Sequence, residues 1–200
     1  VNDDTARQWL LLIYKVPKDP TRFRTYLWRQ LRTLGALSLQ QMVCLLPKTP
    51  DHESEIQRLV AKIEEFRGEA HVLKFTSPSQ EWEDRIIARF NAVVDEDYAE
   101  VAENEERFQE EIQRETRKEK FTFTELEDME ADREKINRAM ARVQARDFFG
   151  APGRSEADAQ MAETRKLFKE FSRKVYERQG VEEPVDKEND NGDPPVNSPH

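Results

Sequence analysis

The sequence predicts an α+β protein. A ferredoxin-like βαββαβ domain comes first, followed by a mostly antiparallel α-helical region with a long helical hairpin. Three observations carry this. Two continuous apolar runs, residues 9–14 and 42–46, alternate with helix and strand signals in the order β-α-β-β-α-β. A stretch from 81 to about 117 contains no helix breaker, enough for a helix roughly 55 Å long. Two heptad seams then follow whose layers match when the chain folds back on itself.

The first unit covers residues 1–77. Residues 8–16 are apolar, aromatic and β-branched and end at Pro17, as a strand should. Their nearly unbroken hydrophobicity marks a central strand. Pro20 suits the first turn of a helix. In that helix Phe23, Leu27, Leu31 and Leu34 share one face, and Arg22, Thr25, Arg29 and Arg32 the opposite one. Gly35 ends it. Residues 36–40 alternate as an edge strand does, and a hairpin through Gln40-Gln41 leads into the run 42–46, closed by Pro47. Ile56, Leu59, Val60, Ile63 and Phe66 make residues 51–66 an amphipathic helix closed by Gly68, and residues 70–75 the last strand.

The helical region covers residues 78–179. Trp82, Ile86 and Phe90 are expected against the sheet. Beyond them Val94, Tyr98, Val101, Glu105, Phe108 and Ile112 follow steps of four and three. Thr124-Glu125-Leu126-Glu127 reads as the capping box of a second helix. Its seam is Leu126, Met129, Arg133, Ile136, Met140 and Val143. Folding back at 118–123 sets Ile112 opposite Leu126 and Val94 opposite Val143. The same fold sets Glu105 opposite Arg133, an expected pair that fixes register more than it stabilises. Asp147-Phe148-Phe149-Gly150 breaks the pattern. Ser155 is the expected cap of a third helix carrying Met161, Thr164, Phe168, Phe171 and Val175, packed on the hairpin or on the sheet unit. Residues 180–200 are acidic, rich in Pro, Asn and Asp, and expected to be a disordered tail.

The 200 residues carry a net charge of −9, unevenly spread. Residues 1–77 hold 12 basic and 9 acidic side chains, residues 78–179 hold 19 and 26, and residues 180–200 hold 1 and 6. The acidic whole opposes nonspecific nucleic-acid binding, yet a basic face remains in the first unit. The single cysteine, Cys44, allows no intramolecular disulfide and fits a reducing compartment. No apolar run reaches the roughly 20 residues of a membrane span. These features lead to the expectation of a cytoplasmic protein that does not contact the membrane.

Arg22, Arg29 and Arg32, with Arg24 and Trp28 on their flank, form the sharpest chemical candidate. Guanidinium forks suit oxyanions and phosphates. The alternative is a solvated face paired with nearby carboxylates. Cys44 lies within an expected buried strand and reads as a small buried hydrophobe. His52 and His71 have no ligand-spaced neighbours, so no metal or other cofactor is expected. No catalytic triad, glycine-rich phosphate loop or paired-carboxylate motif stands out, and the expectation is a non-catalytic protein.

The segments Trp9-Leu10-Leu11-Leu12-Ile13-Tyr14-Lys15-Val16-Pro17, Trp28-Arg29 with Leu34-Gly35-Ala36, and Val43-Cys44-Leu45-Leu46-Pro47 come in an order and spacing that resembles the N-terminal domain of the ChrB family. That resemblance covers residues 8–77 distinctively. It implies a chromate-responsive regulator of a chromate efflux transporter operon. It makes Arg22, Arg29 and Arg32, flanked by Arg24 and Trp28, candidates for contact with chromate oxyanion or the backbone of promoter DNA. A homodimer is a further expected partner state. The rival is a protein-interaction or oligomerisation module without DNA contact. The same βαββαβ order is similar to a small CRISPR-associated nuclease, whose metal-binding Asp ends the first strand. Here Lys15 stands at that place, and a cation cannot hold a metal there.

Overall fold

The computed structural model describes residues 7–182, so the expected tail falls outside the described residues apart from its first three. Within them lie a four-stranded antiparallel sheet and five helices. The sheet unit runs β1 (Gln8–Lys15), α1 (Arg22–Thr33), β2 (Leu37–Gln40), β3 (Val43–Pro47), α2 (Pro50–Glu65) and β4 (Glu69–Thr76). Its strand order is β2-β3-β1-β4. The central strands are β3 and β1, which hold the two continuous apolar runs.

The reason lies in double coverage. Leu10 and Leu12 face Leu27, Leu31, Ile56, Leu59 and Ile63 of α1 and α2. Trp9 and Leu45 point to the other side, against Ile86 and Phe90 of α3 (Gln80–Arg117). A strand buried on both faces cannot alternate. The turn between β2 and β3 falls at Gln41 and Met42, one residue later than expected, with Met42 at φ 62°. Tyr14 N–H donates to the Met42 carbonyl at 3.0 Å, which holds Met42 in the turn.

Helices α3, α4 (Phe123–Gln144) and α5 (Arg154–Gln179) share a second core. Every apolar member of the two seams is buried in it, together with Ala157, Phe168, Phe171 and Val175 of α5. Two caps differ from expectation. Helix α4 is capped by Thr122, whose hydroxyl accepts from Glu125 N–H at 3.3 Å. The earlier start brings Phe123 edge-on to Tyr176 at 5.4 Å. Helix α5 starts before Ser155, after Gly153, whose N–H donates to the Asp95 carboxylate at 2.8 Å.

Among the described residues Glu105 and Arg133 make no direct ion pair, although the Arg133 charge still acts on the Glu105 carboxyl. Glu105 is buried, but the Arg133 guanidinium lies over the Phe168 ring, 5.0 Å from its centre. Helix α5 supplies the contact that the two-helix reading gave to Glu105. Burial pushes the Glu105 carboxyl up from the ordinary carboxylate range, offset in part by the Thr164 hydroxyl and the charges of Arg133 and Arg165. Its Oε2 has no hydrogen-bond partner. A carboxyl with a raised folded-state pKa stabilises fully at low pH and loses that contribution as pH rises through its folded value. Glu105→Gln should therefore raise the melting temperature at pH 7, and the gain should shrink as pH falls toward 4.5, the carboxyl's ordinary value. Thermal melts of both proteins across this range check it; equal melting temperatures at pH 7 would count against a destabilising buried carboxylate.

The break after α4 joins the two cores. The Asp147 carboxylate accepts from the N–H groups of Gly150 and Ala151, each at 2.9 Å. This tight turn drives Phe148 and Phe149 into the sheet unit. Phe148 stands edge-on to His52 at 5.0 Å, and Phe149 lies 6.0 Å from Trp9. Gly35, at φ +71°, leaves room for this: a Cβ there would sit 3.0 Å from the Phe148 ring.

Candidate anion-binding groove

Helix α1 carries its arginines at helical spacing, but the surrounding elements sort them into different places. Trp28, Arg29 and Arg32 line an open groove of about 520 Å³ between α1, α3 and the end of α4. Across it stand Arg142, in the last turn of α4, and Arg146. Asp97 of α3 ties the two sides together. Its Oδ1 accepts from Arg32 Nη2 at 3.2 Å, and its Oδ2 pairs with Arg146 Nη2 at 3.1 Å. Arg146 Nε also donates to the Arg142 carbonyl at 3.0 Å, and its guanidinium is largely buried. The Arg32 guanidinium lies over the exposed Trp28 ring at 5.6 Å.

The charge of the groove follows from these contacts. Two of its arginines share one carboxylate. Arg29 and Arg142 make no ion pair among the described residues, and Glu100 is the other acid in the lining. Four guanidinium groups against two carboxylates leave the groove positive, which draws anions. Arg29 and Arg142 keep their forks free for an oxyanion.

Arg22 lies apart, over the Phe23 ring at 5.5 Å. Arg24 is absent from the groove; it lines an adjoining cavity together with Trp28 and Arg32, and a basin with Lys15, Lys18 and Arg67. Of the five sequence candidates on α1, Trp28, Arg29 and Arg32 line the groove, Arg24, Trp28 and Arg32 line the adjoining cavity, and Arg22 lines neither. Asp97, Arg142 and Arg146 were missed because each looked like a solvated helix residue. The available signal was the pair Arg142 and Arg146, spaced by four at a helix end.

Cys44, His52 and His71 all belong to the sheet unit. Cys44 is buried in β3, and burial pushes its thiol up to about 11. His52 is buried, with Nδ1 2.7 Å from the Pro47 carbonyl. His71 is exposed, 3.1 Å from the Glu69 carboxylate. Among the described residues no three His, Cys, Asp or Glu side chains form a group suited to a metal ion, and no helix is long and apolar enough to cross a membrane.

The family model described as Protein ChrB, N-terminal, matches residues 24–182. The match starts within α1, after the Trp9–Pro17 segment, and runs through all four later helices, well beyond the last segment that carried the resemblance. It includes Trp28, Arg29, Arg32, Arg142 and Arg146. No curated protein and no solved structure matches the chain.

Proposed function

The chain belongs to the ChrB N-terminal family, and from that premise we propose that it is a cytoplasmic chromate-resistance regulator acting by binding rather than catalysis. Its groove between α1, α3 and α4 contacts an oxyanion: chromate itself or the phosphates of promoter DNA upstream of a transporter gene. The observation that carries this is the convergence of Arg29, Arg32, Arg142 and Arg146 on one groove inside the family match. We read the sheet unit as ferredoxin-like, supported by its element order and its strand order. We read α3 and α4 as an antiparallel hairpin, supported by the single core their seams share.

Anisotropy titration of labelled promoter DNA, with and without chromate, tests the reading. Wild type should bind with chromate-dependent affinity. Arg29→Ala/Arg142→Ala should weaken DNA binding and lower the salt slope by about 2, one for each phosphate the variant no longer neutralises. Among the described residues these two arginines have no carboxylate partner, so their replacement should leave the fold intact. Unchanged affinity and slope would sink the proposal.

One observation favours the rival reading, an oligomerisation module. Strand β4 lies at the sheet edge and exposes Val72 and Leu73, beside exposed Ile13 of β1. An uncovered apolar edge strand can pair with a second copy. Light scattering showing a dimer, together with absent DNA binding, would favour this reading over the first.

A further inference from the structure

Arg24 leads to a second hollow, on the opposite side of the Arg32–Asp97–Arg146 cluster from the groove. This cavity measures about 580 Å³ and lies between α1, the loop into β2, and α3. Its walls are mainly apolar, with Leu31, Met42, Cys44, Phe90 and Val94 among them. Trp28 and Val93 also line it. They are 56% and 51% exposed, unusually open for large apolar side chains. Both belong to helices that could have placed a charged residue there at no cost to the core.

The polar side of the cavity is equally uneven. Asp97 is occupied by Arg32 and Arg146. Arg24 makes no ion pair among the described residues, and its Nε is buried without a hydrogen-bond partner. A buried donor left unmade is unfavourable and calls for a partner. Lys15, Lys18 and Arg67 share the adjoining basin with Arg24, against Glu69 alone, so the approach is positive. The exposed Glu96 is the other acid of the cavity wall. Tyr14 and Cys44 add no negative charge at neutral pH, since burial pushes them up to about 12 and about 11.

We propose that this cavity is a binding site for an organic anion with a flat apolar body, such as an aromatic carboxylate, whose carboxylate meets Arg24 and whose ring lies between Trp28 and the wall of Leu31 and Phe90. The volume is that of a small-molecule pocket. A bare inorganic dianion would lose its hydration against apolar walls and gain nothing from them. An uncharged apolar compound would leave Arg24 unpaired. The ligand must therefore offer both parts. The inference does not rest on the function proposed for the groove.

Calorimetric titration of the full chain with 1-naphthoate tests it, with 1-naphthamide as the uncharged counterpart. Wild type should bind 1-naphthoate at one site, and 1-naphthamide at least about tenfold more weakly, since the amide cannot form the bidentate ion pair that a carboxylate makes with a guanidinium. Arg24→Gln should weaken 1-naphthoate by a similar factor, and Val93→Trp, which fills the mouth, should abolish binding. Arg29→Ala/Arg142→Ala should bind 1-naphthoate as wild type does. The proposal is overturned by any of three results: no saturable binding by wild type, equal affinity for the amide, or loss of binding only in the groove variant. The contrast between the two compounds on wild type decides the matter even if Arg24→Gln folds poorly.

Discussion

Trp9→Ala should lower the unfolding free energy by about 3–5 kcal/mol, the range for deleting a large buried aromatic side chain. Trp9 has no exposed surface and fixes three parts of the molecule at once. Trp82 stands edge-on to it at 5.6 Å, Phe90 stacks at 6.0 Å, and Phe149 arrives from the turn after α4 at 6.0 Å. Its Nε1 donates to Ser77 Oγ at 2.8 Å. Alanine removes the ring, leaves these neighbours around a hollow they cannot close, and frees the Ser77 hydroxyl from one partner. Trp9→Phe should cost less, because it keeps most of the packing and loses the hydrogen bond. Urea denaturation of the three proteins measures both steps. A loss below about 1 kcal/mol for the alanine variant, an ordinary value for any substitution, would mean that Trp9 does not join the sheet to the helices.

Gly68→Ala should cost about 3 kcal/mol, at the upper end for forcing extra volume into a packed site. The added Cβ would lie 2.4 Å from the Lys15 carbonyl oxygen and 2.8 Å from both Ile63 Cγ2 and Val16 Cγ1. The oxygen is backbone at the end of β1, so it cannot swing aside as a flexible side chain would. Gly150→Ala is the comparison. That glycine has φ +73° but nothing within 4 Å of an added Cβ. Its replacement bears only the backbone strain, about 1 kcal/mol. Denaturant midpoints should rank Gly68→Ala well below Gly150→Ala. The reverse order would show that conformation, not close packing, governs Gly68.

Local patterns in the sequence revealed most of the sheet unit. The unbroken apolar runs in β1 and β3 come from burial on two faces, and that is a property of each strand alone. The seams of α3 and α4 were legible for the same reason, since period and identity mark buried positions. What escaped depends on partners distant in the chain. Glu105 fell correctly into the seam, but its neighbours come from α5, whose position no local pattern sets. Phe148 and Phe149 looked like a chain break because their contacts, His52, Phe90 and Trp9, lie about 60 to 140 residues earlier. The candidate groove was half legible. Arg29 and Arg32 stood out on a basic helix, whereas Arg142 and Arg146 join them only through Asp97. Arg24 shares a cavity with Trp28 and Arg32 but not with Arg29, a division that helical spacing alone does not show.

The Asp97 carboxylate has a consequence for how the two hollows communicate. Arg32, Asp97 and Arg146 line both the groove and the cavity. They form a party wall with fixed charges, one negative group serving two positive ones. An anion that draws Arg32 or Arg146 toward the groove takes cationic character from the cavity side and leaves Asp97 less compensated there. The coupling is reciprocal: whatever free energy a groove ligand adds to or removes from binding in the cavity, the cavity ligand returns to the groove. On the two proposals above, this one aspartate would couple binding in the two recesses.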